Sequence, residues 1–382
     1  MASVLPLAAL GRARRDWQAT AFGLAEQFRP GSRSHDADDS FVAENYAAMK
    51  AAKLFSAGVP AELGGGGASY RELAEMLRVL AKGCSSTALA LAMHTHPVAL
   101  TVWRWRREKA PLEPLLRRIA AEELVMVTSG GSDWLQSAGT AERVEGGFRI
   151  TATKRFASGS PAGDMLMTSA VYEDPAKGPT VLHFGVPLKA PGVTVVNNWL
   201  AHGMRGTGSG DIVIDGFFLA DAAVGVRRPQ AKWHRLFHTI AIVAFPLIYS
   251  VYLGVAQAAR DVAVESAGQR ADGPDTASLV GAMETELLTA ELAVEEMLRL
   301  GDTAEPGPAS TSRQFAAKSL ATRAMLQTVD RALTIAGGPA FRRSHPLERL
   351  WRDIQGARHH PITEAAQLRL TGREALGLPL DD

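Results

Sequence analysis

Residues 148–172 read FRITATKRFASGSPAGDMLMTSAVY, and the fold turns on them. Through Phe148–Thr153, apolar Phe148, Ile150 and Ala152 alternate with Arg149, Thr151 and Thr153. A period of two sends neighbouring side chains to opposite faces, so this is a strand with one buried face. Gly159 and Pro161 interrupt it, and Met165–Tyr172 begins a second apolar strand. Further strands are expected at Val181–Val186, Val193–Val196 and Asp211–Asp215, with Gly146-Gly147, Pro175, Pro179 and Pro191-Gly192 between them.

Outward from this block the texture is helical. Upstream, Leu73, Leu77 and Leu80 recur at spacings of four and three, which is one helix face. Ala-rich text continues to His94, and Pro97 is expected to restrict that helix. Pro60–Gly67 (PAELGGGG) reads as a connector and lacks both phosphate-loop spacings. Downstream, Leu326, Val329 and Leu333 make another stripe, closed by Gly337-Gly338. Gly301–Ser312 reads as a polar loop. The expected chain is therefore α+β, in the order helical, β, helical, with domains at 1–121, 122–228 and 229–382.

Composition narrows the function. The chain has 382 residues, more than one compact core holds. Lys and Arg number 41 against 40 Asp and Glu, so a net charge of +1 offers no field to hold nucleic acid or an anionic membrane. Hydrophobic residues at 46% and charged residues at 21% exclude a disordered chain. The single cysteine, Cys84, excludes an intramolecular disulfide and points to a reducing cytoplasm. Met1–Leu10 precedes Arg12, Arg14 and Arg15, the reverse of an export signal. Ile240–Ala256 is the longest uncharged apolar run. It falls short of the roughly 20 residues of a membrane span and carries Pro246, Ser250 and Gly254, so a buried bundle helix is expected. His234 and His238 have i,i+4 spacing without a clear third ligand, and no metal centre is expected.

Several stretches resemble the acyl-CoA dehydrogenase superfamily along nearly the whole chain. Gly58–Gly67 (GVPAELGGGG) resembles its VPxExGGxG loop, and Thr128–Asp133 (TSGGSD) resembles a shortened TEPxxGSD segment. Lys154–Gly159 (KRFASG) resembles KxWI[ST]NG, Met204–Thr207 (MRGT) resembles GMRGT, and Gly337–Asp353 (GGPAFRRSHPLERLWRD) resembles GGxGYxxxxPxERxxRD. The resemblance implies an N-terminal helical domain, a middle β-barrel-like domain and a C-terminal four-helix bundle. It also implies a bound flavin and a homodimer or homotetramer. Flavin contacts would come from Thr128, Ser129, Ser132, Phe156, Ala157, Ser158, Gly337 and Gly338. A flat apolar ring edged by donors and acceptors suits such hydroxyls, amides and an aromatic wall.

The sequence departs from the family where a dehydrogenase needs its base. Removing an α-proton requires a carboxylate within reach of that carbon. Aligned without gaps from Arg352-Asp353, the family's Glu position falls on Pro361 and the residue before it on His360. Glu364 stands three residues further on. The alternative base position falls on Ala244, ahead of Phe245-Pro246. The RxxFG segment that reaches the adenosine half of FAD is also missing, since the text from Arg270 reads RADGP, and Thr334 stands where a Gln usually precedes Gly-Gly. FMN is therefore as plausible as FAD.

These departures resemble the two-component flavin monooxygenases of the dibenzothiophene monooxygenase type. That branch takes reduced flavin from a separate flavin reductase. It forms a C4a-hydroperoxide with oxygen and oxygenates a small organic substrate. The resemblance assigns His360 to proton transfer, His94 as a second candidate, and Ser158 to flavin N5. An imidazole titrating near neutrality would suit the first role. His94 has a plainer alternative, a buried helix residue hydrogen-bonded to a neighbour. His94 and His96 are two apart and point to different faces. The runner-up function is α,β-dehydrogenation of an acyl-CoA or similar thioester, and the third is flavin binding without catalysis.

Overall fold

A computed structural model describes residues 15–268 and 274–381. Met1–Leu10 with Arg12 and Arg14, and Arg270, lie outside the described residues, as does the side chain of Ser132. Helices α1 (Trp17–Phe28), α2 (Ser32–Asp38), α3 (Ala43–Ala51), α4 (Tyr70–Gly83), α5 (Ser85–Trp103) and α6 (Glu113–Glu122) come first. Strands β1 (Met126–Thr128), β2 (Thr140–Val144), β3 (Gly147–Lys154), β4 (Met165–Asp174), β5 (Gly178–Pro187), β6 (Val193–Val195), β7 (Ile212–Ala220) and β8 (Val226–Pro229) follow. Helices α7 (Arg235–Gly268), α8 (Pro274–Thr303), α9 (Pro308–Ala336), α10 (Pro346–Ile354) and α11 (Glu364–Ala375) close the chain.

The strands form one sheet in the order β6-β7-β3-β2-β4-β5-β8, with β1 parallel to β4. β3 behaves as its alternation requires: Phe148, Ile150, Ala152 and Lys154 are buried, while Arg149, Thr151 and Thr153 are exposed. A bulge shifts its register against β7 between Ile150 and Ala152, opposite Gly216, whose positive φ of 70° accommodates the extra residue. The short strands β1, β2 and β8 carry too little alternation to be seen in the sequence.

The helical segments on either side of the sheet share one core. It runs from Trp17 of α1 through Leu73, Leu77 and Leu80 of α4 to Tyr249 and Tyr252 of α7 and Leu370 of α11. The sheet has its own core around Phe148, Ile150, Leu166 and Ile214. α4 starts from a capping box between Ser69 and Glu72, worth about 1 kcal/mol. α7 is long and apolar enough to cross a membrane, yet its most apolar stretch is 94% buried among the other helices.

Two expectations need correction. α5 does not stop at Pro97 but runs through it to Trp103. Burial around nearly its whole circumference offsets the main-chain bond that Pro97 removes. The loop expected at 301–312 is confined to 304–307, because Pro308 is pre-set for the first turn of α9.

Candidate active site

The turn at TSGGSD is built on a buried ion pair. Lys154, at the end of β3, is fully buried, and its Nζ donates to Asp133 Oδ2 at 2.9 Å, to the Ser169 carbonyl at 2.6 Å and to the Ala138 carbonyl. Asp133 also accepts from Ser129 Oγ, from Thr168 Oγ1 at 3.3 Å and from the Ala138 N–H at 2.9 Å. A buried pair with its remaining positions filled in this way fixes geometry more than it adds stability. Burial lowers the Lys154 pKa and Asp133 opposes that fall. The N–H of Gly130 donates to the Arg155 carbonyl at 2.9 Å, which ties this turn to KRFASG.

That second turn presents Phe156 and Ser158. Phe156 has a left-handed φ of 56° and is 56% exposed, unusual for phenylalanine, with its ring edge-on to Trp199 at 5.8 Å. Ala157 is fully buried, with its N–H donating to the Gly210 carbonyl at 3.1 Å. Ser158 Oγ lies 2.7 Å from Ser209 Oγ, which lies 2.6 Å from Thr207 Oγ1. Thr207 Oγ1 donates to the Met204 carbonyl at 2.9 Å.

His360 reaches the same place from the other end of the chain. A Cβ added to Gly131 would lie 3.1 Å from Cγ of Pro361, so the TSGGSD turn and the His360-Pro361 segment touch. His360 Nε2 is 2.8 Å from the Tyr252 hydroxyl on α7. Lys318 of α9 is buried, and its Nζ donates to the carbonyls of His360 at 2.8 Å and Ile362 at 2.7 Å. Burial, then the charges of Lys318, His96 and His359, hold His360 down at about 3. His360 is therefore not poised near neutrality as expected. Low-dielectric surroundings beside the Lys318 ammonium keep it neutral. Burial also pushes the Tyr252 phenol well above its usual value, so Tyr252 keeps its proton and the pair is a hydrogen bond between neutral groups.

The two histidines of α5 sit in different surroundings. His94 is 1% exposed, with Nε2 at 2.7 Å from the Phe55 carbonyl and Nδ1 accepting the Met126 N–H at 2.9 Å. Both nitrogens are committed to main chain, and burial lowers its pKa to about 4. His94 thus clamps α5 to the Phe55 loop and β1, and it has no nitrogen left for a proton relay. His96, half-buried, has Nε2 at 3.4 Å from Thr128 Oγ1 and contributes to the electrostatics at His360. It is the α5 histidine that faces the site.

The remaining motifs serve one another. Met204 N–H donates to Asp353 Oδ1, Ser85 Oγ donates to Asp353 Oδ2, and Arg352 binds Asp36, Glu348 and the His202 carbonyl. The RD pair of α10 therefore holds the MRGT turn in place. Gly337 ends α9, its N–H donating to the Leu333 carbonyl at 2.9 Å, and the turn that starts at Gly338 packs on α9 and α10.

Family-level comparison agrees with this layout. Sequence models for the acyl-CoA dehydrogenase N-terminal and C-terminal domains match residues 15–124 and 247–365. The amino sugar nitrososynthase RubN8 of Streptomyces rubradiris is 30% identical across 93% of this chain and 88% of its own. The chain belongs to the acyl-CoA dehydrogenase family. Within it, the putative acyl-CoA dehydrogenase YdbM of Bacillus subtilis is 28% identical over 95% of this chain and 97% of its own. Dibenzothiophene monooxygenase of Rhodococcus erythropolis is 26% identical over 92% and 91%. Among solved structures, KijD3 in complex with FMN and an amino-keto dTDP-sugar superposes with a TM-score of 0.86 at 26% identity, covering 98% of this chain and 97% of that one.

Against the acyl-CoA dehydrogenase pattern, no carboxylate faces the site from either expected place. Glu364 is 52% exposed and lies 3.7 Å from Arg323 on the outer surface. The alternative position is Ala244, buried in α7. The residues present fit a flavin ring: an exposed aromatic face at Phe156, half-buried hydroxyls at Thr128 and Ser129, and a Ser158 hydroxyl backed by further hydroxyls. Sequence reasoning missed Tyr252, Lys318, His96 and Ser209. Lys318 and Tyr252 carried a signal, a lone cation and a phenol on otherwise apolar helix faces.

Proposed function

We propose that this protein is a flavin-dependent monooxygenase, taking FMN or FAD in reduced form from a separate flavin reductase and oxygenating a small organic substrate. The observation that carries the reading is that His360 stands beside the TSGGSD turn while Glu364 faces solvent, paired with Arg323. The relatives named above act on an amino sugar in one case and dibenzothiophene in another, both small organic molecules.

Reduced flavin, once bound, supplies the two electrons that activate dioxygen. The chain does the rest. Thr128, Ser129, Ser132, Phe156, Ala157 and Ser158 orient the ring. His360, held by Tyr252, would hydrogen-bond to the ring's reactive edge, taking a proton there and returning it. An anionic ligand beside it raises its proton affinity from the low value of the free protein. His96 and Thr128 form a second donor pair. The buried stretch of α7 excludes water. We place the domain divisions near residues 121 and 228. We assign Gly337 and Gly338 to a flavin held across a homodimer or homotetramer, for which exposed Phe341, Leu288 and Leu292 provide apolar surface. A cytoplasmic setting suits the lone buried thiol of Cys84.

The test is to supply reduced FMN and isotopically labelled dioxygen with candidate amines, sulfur compounds and acyl-CoAs. Labelled oxygen in a product, lost in His360→Ala and kept in Glu364→Gln, supports the reading. Flavin reduction by an acyl-CoA that Glu364→Gln abolishes would replace it with dehydrogenation.

A further inference from the structure

α9 carries a polar stripe on a buried face. Thr311, Gln314 and Lys318 follow one another at three and four residues, which stacks them on successive turns. Thr311 Oγ1 lies 2.7 Å from His238 Nδ1, and Lys318 Nζ lies 6.0 Å from the Phe245 ring centroid and 5.8 Å from that of Tyr249. These neighbours all belong to α7, so the stripe, with Gln314 at its middle, faces that helix.

Two of the three are left with unmet needs. Gln314 is fully buried, and its Oε1 and Nε2 have no hydrogen-bond partner among the described residues. A buried amide in that state is costly. Lys318 is 5% exposed. Its ammonium has three hydrogens and donates two of them to uncharged groups, the His360 and Ile362 carbonyls. The one charge that favours its protonated form is Glu364, which pairs with Arg323 at the surface. A buried cation without a counter-charge is costly too, and burial lowers Lys318 to about 8.

The surroundings are aromatic and adjoin the candidate active site. Phe245 stands 5.2 Å from Phe315 and 5.9 Å from Trp134, centroid to centroid. The Trp134 indole nitrogen is a further buried donor without a partner among the described residues. Trp134 directly follows the TSGGSD turn, and its main-chain N–H donates to the Gly131 carbonyl at 3.1 Å. Lys318 holds the His360 carbonyl on the opposite segment. Cation and aromatic wall therefore flank the two segments that touch at Gly131 and Pro361.

We infer that Lys318 and Gln314 form the anion-binding end of the substrate site, and that the substrate is a small carboxylate whose aromatic or apolar body lies against Phe245 and Trp134. The third Lys318 hydrogen and the Gln314 N–H donate to the two carboxylate oxygens, and Gln314 Oε1 accepts from a hydroxyl or amine of the same molecule. One negative charge balances one ammonium, whereas a phosphate dianion would leave a buried excess. Neutralising Lys318 also removes the first-named charge that holds His360 down, so arrival of the anion readies the imidazole. The monooxygenase reading above supplies what happens to this substrate; binding of the anion does not depend on it.

The test is calorimetric titration of the full-length protein with benzoate and with its neutral counterpart benzamide, repeated with FMN bound while the flavin absorbance is recorded. Wild type should bind benzoate at least tenfold more tightly than benzamide, and benzoate should shift the spectrum of bound FMN. Lys318→Met should erase that preference. Gln314→Leu should weaken benzoate about fivefold without lowering the unfolding midpoint, because an unpaired amide gives way to an apolar group of similar size. Equal wild-type affinity for the two ligands, or benzoate binding that neither variant changes, would mean that these side chains hold water only. Benzoate binding that leaves the FMN spectrum untouched would sink the substrate assignment. A loss of FMN affinity in Lys318→Met as large as the loss of benzoate affinity would give the ammonium to the flavin instead. Benzoate binding as expected with no binding of FMN would overturn the monooxygenase reading and leave the carboxylate site standing.

Discussion

Tyr252 and His360 share a hydrogen bond of 2.8 Å between residues 108 positions apart, with the rings 5.5 Å from centroid to centroid. The phenol sits on the most deeply buried part of α7, so its position is set by the core. That rigidity passes to an imidazole which otherwise stands in a short, irregular segment ahead of α11. Tyr252→Phe should lower product formed per reduced flavin consumed about three- to tenfold, with more peroxide released, at nearly unchanged flavin affinity. Measuring peroxide alongside product checks it, and an unchanged ratio would show that Tyr252 does not orient His360.

His94 and His96 should separate cleanly. His94→Phe removes two main-chain partners, leaving the Phe55 carbonyl and Met126 N–H unpaired, and should cost about 2–4 kcal/mol in urea unfolding. His96→Phe should leave stability closer to wild type and reduce oxygen transfer. The His94 pKa is lowered from 6.5 to about 4 in the folded protein, so the unfolded chain takes up its proton first as pH falls. Stability is therefore lost progressively between pH 6.5 and 4, by at most about 3 kcal/mol from this residue. The stability gap between wild type and His94→Phe should narrow over that window.

Lys318 makes the opposite prediction on the alkaline side. Burial lowers its pKa from 10.5 to about 8, opposed by Glu364. Between pH 8 and 10.5 the unfolded chain holds the proton and the folded one does not, so this residue's contribution rises with pH, by at most about 3 kcal/mol. Lys318→Met should abolish that rise. It should also release the His360 and Ile362 carbonyls and uncouple oxygen transfer at neutral pH, as peroxide yield would record.

Gly131 tests the contact between the two ends of the site. A methyl there would approach Pro361 Cγ at 3.1 Å and Cδ at 3.2 Å, tight enough to displace the proline by a few tenths of an ångström. Gly131 itself is exposed. Gly131→Val should therefore leave the unfolding midpoint almost unchanged while weakening FMN binding, measured by fluorescence quenching. A loss of stability without a change in binding would refute the assignment.

The helical, β, helical order, the strand at Phe148–Thr153 and the turn carrying Ser158 are local properties, written in hydrophobic period and in the placement of Gly and Pro, and the sequence determined them alone. So did the missing base, since a position holding Ala244 or Pro361 supplies no carboxylate however it is packed. Only the tertiary structure decided which histidine of α5 faces the site. That choice depends on the rotation of a helix about its axis, and contacts with Phe55 and Met126, 39 and 32 residues away, set the rotation. It also decided that Glu364 points to solvent, because the start of α11 is fixed by the Thr363 cap and by Lys318 gripping the preceding carbonyls. The low proton affinity of His360 belongs to the same class. Burial and the charge of Lys318 cause it, and these surroundings form only once the chain has folded.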